Sequence, residues 1–226
     1  MDRLRIERIA RGLSERHGCH TAILYGSRAR GDATGESDVD LLLLREQGPS
    51  IRDAYLDGGD YVDAFIQHDA EVKTLDPSML RLHGGVVLHE RDGAGTALLA
   101  EVASLLARGP DPMPDDERRT VLLWARKMVD RVRGKAGIEG DYRRMFLVMQ
   151  SLEDYFTLRG MWFRGSKMGF AWLRENDRPA YDAFERAFSP GATEQDLAAL
   201  VEVVYPNEEP RRTADPGQSG LDGEAG

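Results

Sequence analysis

The sequence predicts an α+β protein, a small mixed β-sheet domain with flanking helices followed by an α-helical bundle domain. Between about residues 20 and 90, short apolar runs are separated by Gly- and Asp-rich segments, as is typical of buried strands and their connections. Beyond about residue 95, the apolar residues recur at helical spacing instead. The change falls near residues 108–116, so we predict domains at 1–108 and 115–205.

The first half of the chain begins with a helix and continues with strands. Ile6, Ile9 and Leu13 are three and four residues apart, which predicts a helix over 2–16 with one buried stripe. Short apolar runs predict strands at 20–26, 39–44, 61–67 and 85–90. The segment 26–37 is rich in Gly, Ser and Asp and is predicted to be turn or loop. The stretch before residue 61, which contains Gly58 and Gly59, is predicted to be a polar connection.

The second half is predicted to be helical at 97–107, 117–133, 142–160 and 193–204, with breaks that contain Pro or Gly at 109–114 and 134–140. Six aromatic residues at helical spacing are interpreted as core of the bundle rather than as a platform for stacking bases: Tyr155, Phe156, Trp162, Phe163, Phe170 and Trp172. Residues 206–226 show no periodicity, with three prolines and four glycines, and are predicted to be a disordered tail.

Composition restricts the possible functions. No apolar run approaches the ~20 residues of a membrane span, and the charged N-terminus does not resemble a signal peptide. A single cysteine, Cys19, excludes an internal disulfide and favours a cytoplasmic protein. The net charge of −9 argues against binding to nucleic acid and is better matched to a cationic acceptor. The sequence leaves open whether the protein forms a homodimer.

The stretch with the clearest chemical signal is 26–44, GSRARGDATGESDVDLLLL. Asp38 and Asp40 are two residues apart, so on a strand their side chains would lie on the same face. Two adjacent carboxylates repel each other unless a cation lies between them, and hard oxygen ligands favour Mg²⁺. Asp63 interrupts the next apolar run, and on a neighbouring strand it would be a third carboxylate. Three carboxylates can hold two metal ions about 4 Å apart for displacement at phosphorus.

Gly26 and Ser27 follow the first strand and are predicted to contact a phosphate. Glycine lets the backbone approach closely, and amides at the start of a helix favour anionic oxygen. Arg28 and Arg30 lie within reach of such phosphates, or else stabilise the loop by pairing with its acidic residues. Each feature also has an ordinary structural interpretation: Asp38 as a cap, or Asp63 as a polar residue that faces water. The combination, rather than any one residue, favours a metal site.

The segment 26–44 resembles the signature of the DNA polymerase β-type nucleotidyltransferase superfamily, in which Gly-Ser precedes an Asp-x-Asp pair. YVDAFIQHDAE, from residue 61, resembles the third-carboxylate strand of kanamycin nucleotidyltransferase. More loosely, 152–184 resembles the C-terminal helices of aminoglycoside nucleotidyltransferases, including the streptomycin/spectinomycin adenylyltransferases. The last resemblance places Ser166 and Lys167 on a segment that contacts the nucleotide phosphates.

These resemblances imply an enzyme that uses Mg²⁺, with two ions, and ATP or another nucleoside triphosphate to adenylylate a hydroxyl of a small molecule. The acceptor hydroxyl needs a base, which in the kanamycin-type enzymes is a glutamate on the first helix of the bundle. Here the matching position offers Asp130, with Glu153 and Asp154 as rivals.

Two other functions stay open. One is transfer to a protein hydroxyl, as in the nucleotidyltransferase partner of some toxin–antitoxin pairs. The other is a non-catalytic nucleotide-binding module on the same fold. The bundle favours the small-molecule enzyme over the first, and the intact carboxylate triad argues against the second.

Overall fold

The computed structural model describes residues 3–135 and 137–205. They divide between Pro110 and Asp111 into two compact units. The first unit contains a β-sheet with helices, and the described part of the second unit is helical. The predicted α+β fold class is confirmed.

A five-stranded mixed sheet forms the centre of the first unit. Its strands are β1 (Thr21–Tyr25), β2 (Val39–Arg45), β3 (Ile51–Asp57), β4 (Asp60–His68) and β5 (Val86–His89). Their order across the sheet is β3-β4-β2-β1-β5. The central pair β2 and β4 is parallel, and the other neighbouring strands are antiparallel.

Helices cover both faces of this sheet. They are α1 (Arg3–His17), α2 (Gly26–Arg30), α3 (Asp69–Val72), a 3₁₀ helix (Pro77–Leu82) and α4 (Ala94–Arg108). Leu41 and Leu43 of β2 pack in the same apolar cluster as α1, whereas Leu42 and Leu44 pack in the cluster that contains α4. A strand buried on both faces reads as a continuous apolar run, which explains the four consecutive leucines.

Two predictions for the first unit were wrong. The polar connection before residue 61 contains the edge strand β3, which forms a hairpin with β4 through Gly58 and Gly59. The segment 26–37 is not entirely turn and loop, because its first five residues form α2. That short helix ends at Gly31, which has a φ of +84°. The Gly31 amide donates a hydrogen bond to the Ser27 carbonyl oxygen, and this closes the turn.

The second unit contains α5 (Asp115–Val132), α6 (Ile138–Thr157), α7 (Ser166–Asn176), α8 (Arg178–Phe188) and α9 (Glu194–Val204). Their apolar faces form one core around large buried side chains such as Leu147, Tyr155 and Phe184. Tyr155 and Phe156 belong to this core, as predicted. Asp177 ends α7 and caps the first turn of α8 by accepting a hydrogen bond from the Ala180 amide at 3.1 Å.

The tail predicted at 206–226 lies outside the described residues. Among the helices that the structure describes, none has the length and apolar character needed to cross a membrane.

Candidate active site

Two of the predicted carboxylates are paired at the centre of the sheet. Asp40 of β2 lies directly opposite Asp63 of β4, because the two strands are parallel and in register at this position. Neighbouring strands are about 4.8 Å apart, so the two side chains begin close together. Because side chains alternate along a strand, both carboxylates lie on the face of the sheet opposite to α1. Leu42 and Phe65 lie on the same face, in the apolar cluster that contains α4.

Asp38 lies one residue before β2, and the Arg28 side chain holds the backbone that carries it. Arg28 donates from Nε to the carbonyl oxygens of Ser37, at 3.0 Å, and of Asp38, at 3.1 Å. Its Nη2 also pairs with Oδ1 of Asp60 at 3.0 Å, and the Arg28 side chain is only 7% exposed. Arg28 therefore stabilises the loop and connects it to the start of β4.

The turn at Gly26 brings the backbone close to the Asp40 carboxylate. Gly26 has a φ of +73°, and a Cβ built on it would lie 2.1 Å from Oδ2 of Asp40. Only glycine can occupy this position without displacing Asp40. Ser27 follows in the first turn of α2, half-buried. The pattern Gly-Ser before Asp-x-Asp thus has a geometric reason, because the turn and the second aspartate share one site.

Arg30, the last residue of α2, forms an ion pair with the loop. Its Nη2 lies 3.3 Å from Oδ1 of Asp32, and its aliphatic part lies over Gly84. This ion pair stabilises the loop, and the phosphate contact of Arg30 stays a prediction.

The electrostatics of Asp40 favour a bound cation. Burial raises the pKa of Asp40, and the negative charges of Asp38 and Asp63 raise it further. Within residues 3–135 and 137–205, neither the Asp38 nor the Asp40 carboxylate accepts a hydrogen bond. A partly buried carboxylate without a donor, next to two others, is stabilised by a hard cation such as Mg²⁺. The donor set therefore fits a divalent metal ion.

Asp63 has a partner that the sequence analysis missed. Arg52 of β3 binds it through two parallel contacts, Nε to Oδ1 at 2.6 Å and Nη2 to Oδ2 at 2.8 Å. In the part of the chain that the structure describes, no three acidic, histidine or cysteine side chains are grouped closely enough to hold a metal ion together. The structure thus brings Asp63 beside Asp40 but leaves its carboxylate bound to Arg52. No signal pointed to Arg52, because β3 itself was not predicted.

The remaining predicted residues lie in the helical unit. Asp130, near the end of α5, has a side chain that is 72% exposed and lies 3.4 Å from Nη1 of Arg133. Ser166 and Lys167 are the first two residues of α7, directly after Gly165 with a φ of +85°. Both are exposed and lie in the first turn of this helix.

The two rivals of Asp130 differ in their surroundings on α6. Glu153 is exposed, whereas Asp154 is only 6% exposed. Asp154 accepts hydrogen bonds from the Tyr205 hydroxyl at 2.6 Å and from Nε2 of Gln150 at 3.1 Å. Burial raises the pKa of Asp154, while these hydrogen bonds oppose the rise. Asp154 is therefore part of the polar interior of the bundle.

Carboxylates that hold divalent ions side by side are used for displacement at phosphorus. Residues 6–80 match the family model described as "Nucleotidyltransferase domain". The match begins within α1, covers about a third of the chain and includes Asp38, Asp40, Asp63 and the 3₁₀ segment up to Leu80. It supports the predicted enzyme class, a nucleotidyltransferase, and domains of this kind generally use a nucleoside triphosphate and a divalent metal ion.

No curated protein matches the chain. Among solved structures, it is similar to a nucleotidyltransferase-like protein from Exiguobacterium sibiricum 255-15, with 13% sequence identity and a TM-score of 0.43. The similarity covers 88% of this chain and 73% of that one.

Proposed function

We propose that this chain is a Mg²⁺-dependent nucleotidyltransferase that moves a nucleoside monophosphate, AMP from ATP in the favoured case, onto a hydroxyl of a small molecule. The observation that carries the proposal is the pairing of Asp40 with Asp63 on parallel strands, with Asp38 two residues earlier and the Gly26 turn against Asp40. Asp38, Asp40 and Asp63 are the proposed metal ligands.

The reaction is a displacement at the α-phosphorus. The acceptor oxygen forms a bond to this phosphorus, the bond from it to the oxygen bridging the α- and β-phosphates breaks, and pyrophosphate leaves with that electron pair. When bound, the divalent ions would neutralise the charge on the attacking and leaving oxygens. The chain's own task is to hold nucleotide and acceptor in line, which supplies much of the rate in such reactions.

The phosphate-binding residues of the proposal are Gly26, Ser27, Arg30, Ser166 and Lys167. Support for Gly26 and Ser27 comes from the turn that places them beside Asp40. Arg30 lies on the same short helix and contributes positive charge there. Ser166 and Lys167 are proposed from the resemblance of 152–184 to aminoglycoside nucleotidyltransferases.

Asp130 is the proposed general base, which would take the proton of the acceptor hydroxyl. Its carboxylate is exposed and its ion pair with Arg133 is long, so it is accessible to an incoming hydroxyl. Aspartate is one methylene shorter than the glutamate of the resembled enzymes, so the acceptor must approach α5 more closely or a water must relay the proton.

We favour an aminoglycoside-type acceptor. Such acceptors are polycations, and a chain of net charge −9 attracts them through its overall field. The resemblance of the bundle to aminoglycoside nucleotidyltransferases supports the same choice.

A labelling experiment tests the proposal. The protein is incubated with Mg²⁺, one of the four labelled nucleoside triphosphates, ATP first, and either a panel of aminoglycosides and lincosamides or a cell extract. Labelled product and pyrophosphate are then measured. We expect label on a small molecule together with equimolar pyrophosphate. Label on extract protein alone would favour the protein-hydroxyl enzyme instead, and no transfer from any of the four nucleoside triphosphates would contradict the proposed function. Asp40→Asn is the negative control.

A further inference from the structure

We propose that Arg52 competes with the divalent cation for Asp63. The guanidinium holds the third carboxylate, and it must leave before Asp63 can join Asp38 and Asp40 around a metal ion. This inference rests on the proposed function, because it takes the three aspartates as the ligands of that function.

The competition follows from the geometry of the pair. Arg52 contacts both carboxylate oxygens of Asp63, at 2.6 and 2.8 Å, in the planar two-point arrangement that arginine makes with carboxylates. A carboxylate bound in this way offers its strongest acceptor positions to the guanidinium. The contrast with Asp40, whose carboxylate accepts no hydrogen bond in the described residues, is the second observation. Of the two paired aspartates, one is open to a cation and the other is not.

The pair can separate without disturbing the sheet. Arg52 belongs to the edge strand β3 and its side chain is 54% exposed, whereas Asp63 is 14% exposed on β4, between two neighbouring strands. The guanidinium also lies against the ring of Phe65, whose centre is 5.3 Å from the Arg52 Cζ. A long exposed side chain moves more easily than a carboxylate fixed on an inner strand, so Arg52 is the partner that leaves.

Breaking the pair then becomes part of every metal-binding equilibrium that uses Asp63. The apparent metal affinity equals the intrinsic affinity multiplied by the fraction of molecules in which Asp63 is free of Arg52. Because the pair is partly exposed and screened by solvent, its removal should raise the metal affinity only modestly, by roughly fivefold. Arg52 is a positioning residue in this proposal, because it acts on the site through Asp63.

Calorimetric titration of the purified, nucleotide-free protein with Mn²⁺ tests the competition. Arg52→Gln removes the charge and the two-point contact while keeping an extended polar side chain at an exposed position. We expect Mn²⁺ to bind this variant about fivefold more tightly than the parent. Thermal unfolding of the metal-free proteins verifies that the variant is folded.

Arg81→Gln is the matched control for the general effect of removing a positive charge. The Arg81 Cζ lies 5.4 Å from the centre of the same Phe65 ring, yet its side chain hydrogen-bonds to Ser78 and Tyr25 rather than to Asp63. Its Mn²⁺ affinity should change less than twofold. In an Asp63→Asn background, Arg52→Gln should have no effect, because the competed ligand is gone.

Three results would overturn the inference: equal tightening by Arg52→Gln and Arg81→Gln, weaker Mn²⁺ binding by Arg52→Gln, or no change of Mn²⁺ affinity in Arg52→Gln. The second would show that Arg52 supports Asp63 as a metal ligand. Failure of the proposed function looks different, because Asp40→Asn would then bind Mn²⁺ as tightly as the parent. A loss of binding in Asp40→Asn with no change in Arg52→Gln rejects only the competition.

Discussion

Asp40 is the residue at which stability and the proposed chemistry oppose each other. Its pKa is raised by burial first and by the charges of Asp38 and Asp63 second. A carboxyl whose pKa is higher in the folded than in the unfolded state favours folding when it is protonated. That contribution is present below the ordinary carboxyl pKa of about 4 and is lost as the pH rises through the folded value. At neutral pH and without metal, the Asp40 charge therefore destabilises the fold.

We predict that Asp40→Asn loses activity and gains stability. Turnover should fall by about 10³-fold or more, since the variant removes a principal electrostatic group of the site. In metal-free buffer at pH 7, its melting temperature should exceed that of the parent, and the difference should shrink as the pH falls towards 4. Steady-state kinetics and calorimetry measure the two effects. Near-normal turnover would reject Asp40 as a metal ligand, and a lower melting temperature would show that its charge is stabilised by the protein.

Gly26 gives a second prediction at this scale, with an internal control nearby. Gly26→Ala introduces a Cβ that would overlap Oδ2 of Asp40 at 2.1 Å, at a φ of +73°. Gly31→Ala has a similar φ of +84° but no atom within 4 Å of its Cβ. Both should be destabilised by about 1–2 kcal/mol through the left-handed backbone, but only Gly26→Ala should also lose more than about tenfold in kcat, through displacement of Asp40. Equal kinetic losses in both variants would mean that loop strain, not the contact with Asp40, decides activity.

At the scale of elements, the helices α5 and α6 present different carboxylates. Asp130 on α5 is exposed and only loosely paired, whereas Asp154 on α6 is buried and hydrogen-bonded to Tyr205 and Gln150. A base must be free to take a proton from an incoming hydroxyl. Asp130 on α5 and Glu153 on α6 are both exposed and meet this condition, whereas the buried Asp154 belongs to the polar interior of the bundle.

We predict that Asp130→Asn slows the chemical step by ~10²–10⁴-fold, as is typical when a general base is removed. Its affinities for ATP and Mg²⁺ should not change, and its pH–rate profile should lose the acidic limb. Asp154→Asn should instead lower the melting temperature, because it weakens a buried hydrogen-bonded group. Single-turnover rates of Asp130→Asn, Asp154→Asn and Glu153→Gln separate the candidates. If Asp130→Asn reacts at the parent rate while Glu153→Gln does not, the base lies on α6.

At the scale of the whole molecule, charge is the property that bears on the acceptor. The net charge of −9 is uneven along the chain: residues 1–110 carry −5, residues 111–205 carry −1 and residues 206–226 carry −3. A field of this sign raises the local concentration of cations. Salt screens such a field over about 10 Å at 0.1 M, whereas contacts within a closed site are screened less.

We therefore predict that salt weakens acceptor binding more than catalysis. Raising NaCl from about 50 to about 500 mM should increase the KM of a cationic acceptor several-fold, while kcat at saturation changes by less than about twofold. A neutral acceptor with the same reactive hydroxyl serves as the control and should show little change in KM. The same salt response for both acceptors would exclude the overall charge as the source of acceptor affinity.

The strand β3 shows why part of the fold could not be predicted. Its inward positions carry Asp53 and Asp57, which pair with Arg16 and Arg5 of α1, whereas Leu56 points outward and is 70% exposed. The strand thus reverses the usual pattern of apolar residues inside and polar residues outside. Its charges are satisfied by a helix that is more than thirty residues away in sequence, so a local pattern contains no sign of it.

The sequence by itself determined the fold class, the strands β1, β2, β4 and β5, and the enzyme class, because apolar periodicity and the Gly-Ser and Asp-x-Asp spacings are local properties of the chain. It also indicated Asp38, Asp40 and Asp63 as candidate metal ligands. Only the tertiary structure decided that Asp63 lies opposite Asp40, and that Arg52 holds it. Strand register and side-chain partners depend on contacts between distant segments, and these are selected by the burial of both sheet faces together rather than by any one segment.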